Sequence, residues 1–221
     1  GEDELGDATS ESATDTSAST TSADTTSADT TSADTTSGDT TSADTTSADT
    51  NADATSTTGE GECPTWCPTP GTSWQWQLTG TLDTRVDVEM YDIDLFNTSA
   101  STIATLHEAG RIVVCYFSAG SHEDWRPDAG EFPPAAIGDP LDGWPGERWL
   151  DIRDPSVRAL MAARLDLALA QGCDGVEPDN VDGWANPSGF DLSGDDQLDY
   201  NRFLAAQAHA RGLSVGLKND L

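Results

Sequence analysis

Positive charge is scarce in this chain of 221 residues, and residues 1–62 contain no Lys or Arg at all. The whole sequence has 10 Lys and Arg against 40 Asp and Glu, and half of its formal charge of -30 comes from 15 acids in residues 1–62. This segment has no apolar side chain larger than Leu5, and residues 19–49 repeat TTSAD with one variant at Gly38. Such a segment cannot offset the entropy of ordering, about 1–2 kcal/mol per residue for the backbone. We therefore predict that residues 1–62 form a disordered acidic Thr/Ser-rich linker.

The location of the protein is predicted from this linker. Its Ser and Thr content suits O-glycosylation, and such tracts often separate a surface-anchored end from an outer domain, although an inert acidic tail fits the composition equally well. The sequence contains no transmembrane run or signal peptide, and Gly1 in place of Met indicates a processed or trimmed chain. We expect an extracellular or cell-surface protein with the linker as a candidate tether.

Cysteine is also sparse, with four residues. Cys63 and Cys67 frame CPTWC in a junction over residues 63–73, where an extracellular context would allow a small disulfide loop. Zinc is disfavoured there because a structural site needs four ligands and no His or further Cys lies nearby. Cys115 lies in an apolar run and Cys173 at a strand entrance, so we interpret both as buried small hydrophobic side chains rather than nucleophiles.

No Gly-rich phosphate-binding fingerprint follows the first candidate strand, which argues against a dinucleotide site. Beyond residue 73 the chain instead alternates apolar strand candidates with helical patterns. The six strand candidates are residues 74–78, 88–96, 112–117, 149–152, the stretch around Val176, and residues 214–217. Helical patterns follow Ser99 or Ser101, begin at Pro155, and run from about Asp195 to Ala210. A long Pro/Gly-rich excursion over residues 125–146 is typical of a functional or mobile loop.

This alternation predicts an α/β fold with parallel pairing and right-handed crossovers. Acids at several strand ends favour a (β/α)8 TIM-type barrel over residues 74–221 rather than an open doubly wound sheet. With about six strands present, we expect an incomplete barrel whose last strands lie beyond Leu221, and hence an inactive fragment.

The stretch that carries the chemistry is residues 172–182, GCDGVEPDNVD, which we interpret as a buried strand ending in polar groups. Pro178 cannot donate a ladder hydrogen bond, so regular pairing should fail near it and free Asp179 from the sheet. Asp179 is therefore the candidate catalytic carboxylate. Acids at one strand end can also be helix caps or solvated loop residues.

Further candidates lie at other strand ends, where loops aim side chains into one crevice. The acids among them would give a negative cleft that favours a cationic substrate, with Lys218 as the nearby cation. The candidate substrate-binding residues are Trp76, Asp92, Asp94, Tyr116, Asp151, Glu177, Asn180, Asp182, Lys218 and Asp220. A calcium site at Asp191, Asp195 and Asp196 lacks the EF-hand spacing, and we expect no metal and no cofactor.

Seven motifs resemble glycoside hydrolase family 114 from about Trp74 to Leu221: WQWQL, YDIDLF, CYFSAG, EDWRPDAGEFP, DGWPGERWLDIR, GCDGVEPDNVDGW and AHARGLSVGLKNDL. The founding activity of that family is endo-α-1,4-polygalactosaminidase on a (β/α)8 barrel. The resemblance implies that Asp179 is one of two catalytic carboxylates. Its partner is a Glu in an Asn-Glu-Gln context on a later strand, which this sequence does not reach.

The resemblance implies hydrolysis of an α-1,4-linked galactosamine-type polysaccharide by the retaining reaction, in which two carboxyl groups lie about 5–5.5 Å apart. Whether Asp179 is the nucleophile or the acid/base stays open. We expect a cationic amino-sugar polymer as partner and no nucleic acid. A non-catalytic polysaccharide-binding domain with an acidic cleft, and a structural stalk domain, are the alternatives.

Overall fold

The computed structural model describes residues 66–218. The predicted linker, Cys63 and Asp220 lie outside this range. The described residues form eight β-strands and three α-helices. The strands are β1 (Trp74–Gln77), β2 (Met90–Asp94), β3 (Ile112–Ser118), β4 (Ser121–Glu123), β5 (Ile137–Pro140), β6 (Glu147–Leu150), β7 (Gly175–Asp179) and β8 (Ser214–Val215). The helices are α1 (Ala100–Glu108), α2 (Pro155–Gln171) and α3 (Gly194–Ala210).

Five strands form one parallel sheet in the order β1-β2-β3-β7-β8. Its inner strands carry much of the apolar core, including the fully buried Ile93, Phe117 and Val176. Helix α1 connects β2 to β3, α2 precedes β7, and α3 connects β7 to β8, as crossovers between parallel strands require. The predicted α/β class with parallel pairing is confirmed, with five parallel strands between residues 66 and 218.

Strand β6 belongs to a different sheet. The prediction that residues 149–152 form one of six parallel strands is therefore wrong. It pairs antiparallel with β4 and β5 in a three-stranded sheet. Of its three strands, β5 lies in the predicted excursion over residues 125–146, which also contains two short 3₁₀ turns, and β4 and β6 flank that excursion. A short apolar run has the same pattern in either kind of sheet. The strands beside the run decide whether it pairs parallel or antiparallel, and the sequence of the run itself does not identify those strands.

Local signals set the helix ends, and those at Ser99 and Pro155 lie where the sequence predicts them. The side chain of Ser99 caps α1. Pro155 occupies the first turn of α2, and Gly172 ends that helix with a φ of 92° that favours glycine. Ser193 and Asp196 form a capping box at the start of α3. In the described part of the chain, no helix combines the length and apolar character needed to cross a membrane.

A disulfide bond joins Cys115 on β3 to Cys173 just before β7, with their Cα atoms 6.0 Å apart. The interpretation of both as simple buried hydrophobic side chains is therefore wrong, although each is at most 6% exposed. They meet because β3 and β7 are neighbours in the sheet, a proximity across 58 residues that spacing alone does not reveal. Cys67 is also disulfide-bonded.

Candidate active site

The carboxyl ends of the parallel strands form one edge, where several predicted site residues collect. The register places Trp76 of β1 beside Asp92 of β2, and Tyr116 of β3 beside Glu177 of β7. Lys218, shortly after β8, reaches the same edge, with its Nζ 3.0 Å from Oε2 of Glu177. These five residues come from five different strands or their ends, as is typical of sites in parallel α/β folds.

Lys218 lies between a carboxylate and two aromatic rings. Its Nζ is 4.7 Å from the centre of the Trp76 ring and 5.2 Å from that of Tyr116. Ring faces attract a cation, and the attraction strengthens where water is excluded. The side chains of Lys218 and Glu177 are only 14% and 15% exposed, so this pair is largely withdrawn from solvent.

Asp92 lies deeper, with 2% of its surface exposed and Oδ1 without a hydrogen-bond partner in the described structure. Burial, followed by the neighbouring carboxylate of Glu177, raises the pKa of Asp92 well above its usual range. Ionising both of two adjacent buried carboxyl groups costs free energy, because burial and the like charge both disfavour the charged form. We infer that Asp92 holds a proton at neutral pH while Glu177 pairs with Lys218.

This assignment predicts a pH-dependent gain of stability for Asp92→Asn. A raised folded pKa means that the folded protein binds more protons than the unfolded chain above about pH 4, so wild-type stability falls as the pH rises towards that raised pKa. The variant has no such group, and we expect it to be more stable than wild type at pH 8 by at least about 1.4 kcal/mol, the equivalent of one pKa unit. Urea unfolding at pH 8 and pH 4 tests this: the difference should shrink at pH 4, and a difference independent of pH would contradict the assignment.

Asp179 ends β7 with its carboxylate held by two donors. The hydroxyl of Tyr116 donates to Oδ2 at 3.0 Å, and the backbone N–H of Asn180 donates to Oδ1 at 2.8 Å. The partly buried Tyr116 has a raised pKa because of burial and then the charge of Asp179, so its hydroxyl remains a donor at neutral pH. Asp179 is thus a half-buried carboxylate in a fixed orientation.

The prediction that Pro178 frees Asp179 from the sheet is wrong on the β3 side. Pairing continues past Pro178 to the Ser118–Asp179 register pair, and the carbonyl of Asp179 accepts the backbone N–H of Ala119 at 2.8 Å. The register between β7 and β8 instead ends at Val176. Successive residues of a strand direct their hydrogen bonds to opposite neighbours, so the missing donor of Pro178 affects one neighbour only. Asp179 is therefore anchored to β3.

A cleft of about 190 Å³ opens beside Asp179. One wall comes from the end of β7 and the loop after it, and a second wall from the loop between β5 and β6 together with Trp149 of β6. Trp144, 63% exposed, lies in this second wall together with Asp142. The full lining is Leu141, Asp142, Trp144, Trp149, Asp179, Asn180, Asp182, Asn186 and Lys218. Aromatic rings are surfaces on which sugar rings stack, and the exposed acids favour a cation.

Two predicted acids lie in other interactions. Asp94 is buried and forms a two-pronged ion pair with Arg126, at 2.9 and 2.8 Å. Asp151 binds Arg153 in the same manner, at 2.9 and 3.0 Å. Both carboxylates hold loops in place, and neither lines the cleft. Asp220 lies outside the described residues.

Asn180 and Asp182 do line the cleft, but their side chains are engaged within the protein. The amide of Asn180 turns towards Ser118, donating to its Oγ at 2.8 Å. Oδ2 of Asp182 accepts from Nδ2 of Asn186 at 3.0 Å. Of the two, Asp182 keeps a carboxylate oxygen free of these internal bonds for a ligand.

The calcium alternative receives no structural support. Asp196 accepts hydrogen bonds from the backbone N–H and the hydroxyl of Ser193 at the start of α3, so it is a helix cap. Between residues 66 and 218 there is no group of three or more His, Cys, Asp or Glu side chains arranged to hold a metal ion.

Sequence reasoning missed the wall that contains Asp142 and Trp144. Both lie in the DGWPGERWL motif, an Asp-Gly-Trp turn whose aromatic residue is followed by Pro145 and Gly146. An exposed Trp in a rigid Pro/Gly turn was the available signal. It also missed Glu147, a buried carboxyl group at the start of β6.

Comparisons with known proteins show the family of this chain. The model of glycoside-hydrolase family GH114 matches residues 55–221, about three quarters of the sequence. The chain belongs to family GH114. The crystal structure of Ega3 of Aspergillus fumigatus, a complex with galactosamine, is 54% identical with a TM-score of 0.69, over 70% of this chain and 62% of that chain.

More distant relatives extend the GH114 comparison. The glycoside hydrolase domain of PelA from Pseudomonas aeruginosa matches with a TM-score of 0.51 and 18% identity, over 66% of this chain and 58% of that one, which supports the fold alone. An uncharacterized protein of Deinococcus radiodurans is 30% identical over 125 residues, 50% of this chain and 41% of the relative. The chain spans less than two thirds of the length of each of these relatives.

Proposed function

We propose that this GH114 chain contributes to a glycoside hydrolase that cleaves α-1,4-linked galactosamine polymers, with Asp179 as a catalytic carboxylate. The observation that carries the proposal is the setting of Asp179: a carboxylate fixed by Tyr116 and the Asn180 backbone at the edge of a sugar-sized cleft. The 54% identity to Ega3, whose crystal structure contains galactosamine, supports the substrate class.

The charge distribution of the cleft favours a cationic sugar. Asp142, Asp179 and Asp182 line it, whereas Lys218 is already paired with Glu177. A free galactosamine unit carries an ammonium group at neutral pH, and N-acetylation removes that charge. An acidic cleft of low dielectric concentrates cationic ligands over neutral ones. The proposed substrate is therefore deacetylated.

Asp179 acts as the nucleophile in the proposed reaction. Both its oxygens accept hydrogen bonds and neither donates, which suits an ionised carboxylate. One oxygen attacks the anomeric carbon, the glycosidic C–O bond breaks, and a second carboxylic acid protonates the leaving oxygen. The same group then deprotonates water, which cleaves the glycosyl ester and frees Asp179. That second carboxyl group, predicted from the family resemblance as a Glu, is not among residues 66–218.

Secretion fits the same proposal. The disulfide between Cys115 and Cys173 is a bond that forms and persists in oxidising compartments. The substrate polymer would then be met outside the cell, with the acidic linker as tether.

Release of new reducing ends tests the function. The full-length protein is incubated with deacetylated α-1,4-galactosamine polymer and, in parallel, with the same polymer after full N-acetylation. We expect product from the first and much less from the second. Binding of the deacetylated polymer without product would instead favour a non-catalytic binding domain, and equal cleavage of both would contradict recognition of the ammonium group.

A further inference from the structure

We propose that Glu147 is a positioning residue for Asp179, acting through Ser121 and Asn180. The inference rests on the proposed function, because it concerns how the proposed nucleophile is held. It assigns a role to the antiparallel sheet, since Glu147 begins β6 and Ser121 begins β4.

A continuous set of hydrogen bonds connects Glu147 to Asn180. The hydroxyl of Ser121 donates to Oε2 of Glu147 at 2.6 Å. Oγ of Ser121 also lies 2.6 Å from Oγ of Ser118, at the end of β3. The side-chain amide of Asn180 donates to Ser118 at 2.8 Å and reaches Ser121 at 3.3 Å. Glu147 therefore fixes the Ser121 hydroxyl, which in turn fixes the acceptors of the Asn180 amide.

Asn180 passes this constraint to Asp179. Its backbone has a φ of 59°, the left-handed conformation that residues with a side chain adopt at a cost. In this conformation its N–H donates to Oδ1 of Asp179 at 2.8 Å. The direction of this N–H depends on the backbone φ angle of Asn180. The hydrogen bonds from the side-chain amide of Asn180 to Ser118 and Ser121 hold that angle.

The backbone around Asn180 is packed tightly, which leaves Asn180 no room for another backbone conformation. The carbonyl of Asp179 accepts the N–H groups of Ala119 and Gly120 at 2.8 and 3.1 Å. A Cβ atom on Gly120 would lie 1.8 Å from the carbonyl oxygen of Asn180. Only a glycine allows this contact, which holds the Asn180 backbone closely against Gly120.

Glu147 differs from its register partner in what it binds. Glu123, opposite it on β4, is buried and ion-paired with Arg126 at 2.7 Å. Glu147 is 6% exposed, and its carboxyl group accepts a hydrogen bond from the hydroxyl of Ser121. Burial raises the pKa of Glu147, whereas the Ser121 hydroxyl opposes that rise. Burying a carboxyl group costs free energy. The role that we propose for this buried group is to hold the hydroxyl of Ser121.

The test compares kcat and KM of the full-length protein and its variants on deacetylated galactosamine polymer. Glu147→Ala removes the acceptor for Ser121, and we expect kcat to fall about 10- to 100-fold with KM little changed, the cost of a misplaced reacting group. Glu147→Gln keeps an acceptor oxygen and should retain most of the wild-type kcat. In an Asn180→Ala background, Glu147→Ala should cause no further loss, because the pathway is already interrupted.

Arg148→Gln is the matched control, since Arg148 is the exposed neighbour of Glu147 on β6; its kcat should equal wild type. Should Glu147→Ala melt below the assay temperature, Ser121→Ala interrupts the same network and must show the same loss. Wild-type kcat in Glu147→Ala, or additive losses in the double variant with Asn180→Ala, would overturn this inference alone. A wild-type protein that releases no product would overturn the proposed function and this inference with it.

Discussion

Asp179→Asn is expected to lower kcat on deacetylated galactosamine polymer by roughly 10³-fold or more. The substitution keeps the shape of the side chain and removes the charge. The variant therefore cannot attack the anomeric carbon, whereas the shape of the cleft is unchanged. Tyr116 can still donate to the amide oxygen, and the fold should persist. Initial rates over a range of polymer concentrations give kcat and KM, a binding isotherm gives Kd, and a melting curve confirms folding.

Asp182→Asn is the matched control for Asp179, because both acids line the same cleft. Its carboxylate accepts a hydrogen bond from Asn186 and lines the cleft, and the proposed reaction gives it no bond to form or break. We expect a higher KM and a smaller change in kcat. If Asp179→Asn also raised KM and left kcat unchanged, Asp179 would be a binding residue.

The double substitution Cys115→Ala and Cys173→Ala is expected to lower the free energy of unfolding by about 4 kcal/mol. The chain-entropy estimate for a loop of this length gives that value, because the unfolded chain regains the freedom that the bond removes. Strand β3 carries Tyr116 and β7 carries Asp179, so loosening their attachment should also make activity more sensitive to temperature. Urea unfolding of wild type and double variant measures the difference.

Reduced wild-type protein is the control for the disulfide. With all disulfides broken by a thiol in denaturant in both proteins, including the one that contains Cys67, wild type should unfold at the same urea concentration as the double variant. A double variant that unfolds together with oxidised wild type would show that the bond between β3 and β7 adds nothing to stability.

The parts of the fold that follow local rules could be predicted from the sequence. Ser99 and Gly172 mark helix ends because a cap needs only its own turn of backbone. Strand β7 and its terminal Asp179 could be located because an apolar run followed by polar groups identifies a strand end. Lys218 was expected near the acids because parallel strands place their carboxyl ends on one edge.

What failed depends on contacts between distant residues. The run at residues 149–152 has strand character, but its antiparallel partners are two short strands, β4 before the irregular excursion and β5 within it. Asp94 was assigned to the site because acids at strand ends look alike, whether they face a ligand or, as here, a buried Arg126. The pairing of Cys115 with Cys173 needs the sheet order, which neither cysteine's surroundings encode.

Chemical rescue of Asp179→Ala by azide tests the central claim most directly. Removing the side chain leaves room for a small anion on the face from which Asp179 is proposed to attack. Azide should then restore cleavage of an activated α-galactosaminide and form the β-configured glycosyl azide, because a single displacement inverts the anomeric centre. Proton NMR of the product gives the configuration. Formation of the β-azide is the result that the proposed mechanism predicts; an α-azide, or no azide product from a folded variant, would contradict Asp179 as the nucleophile.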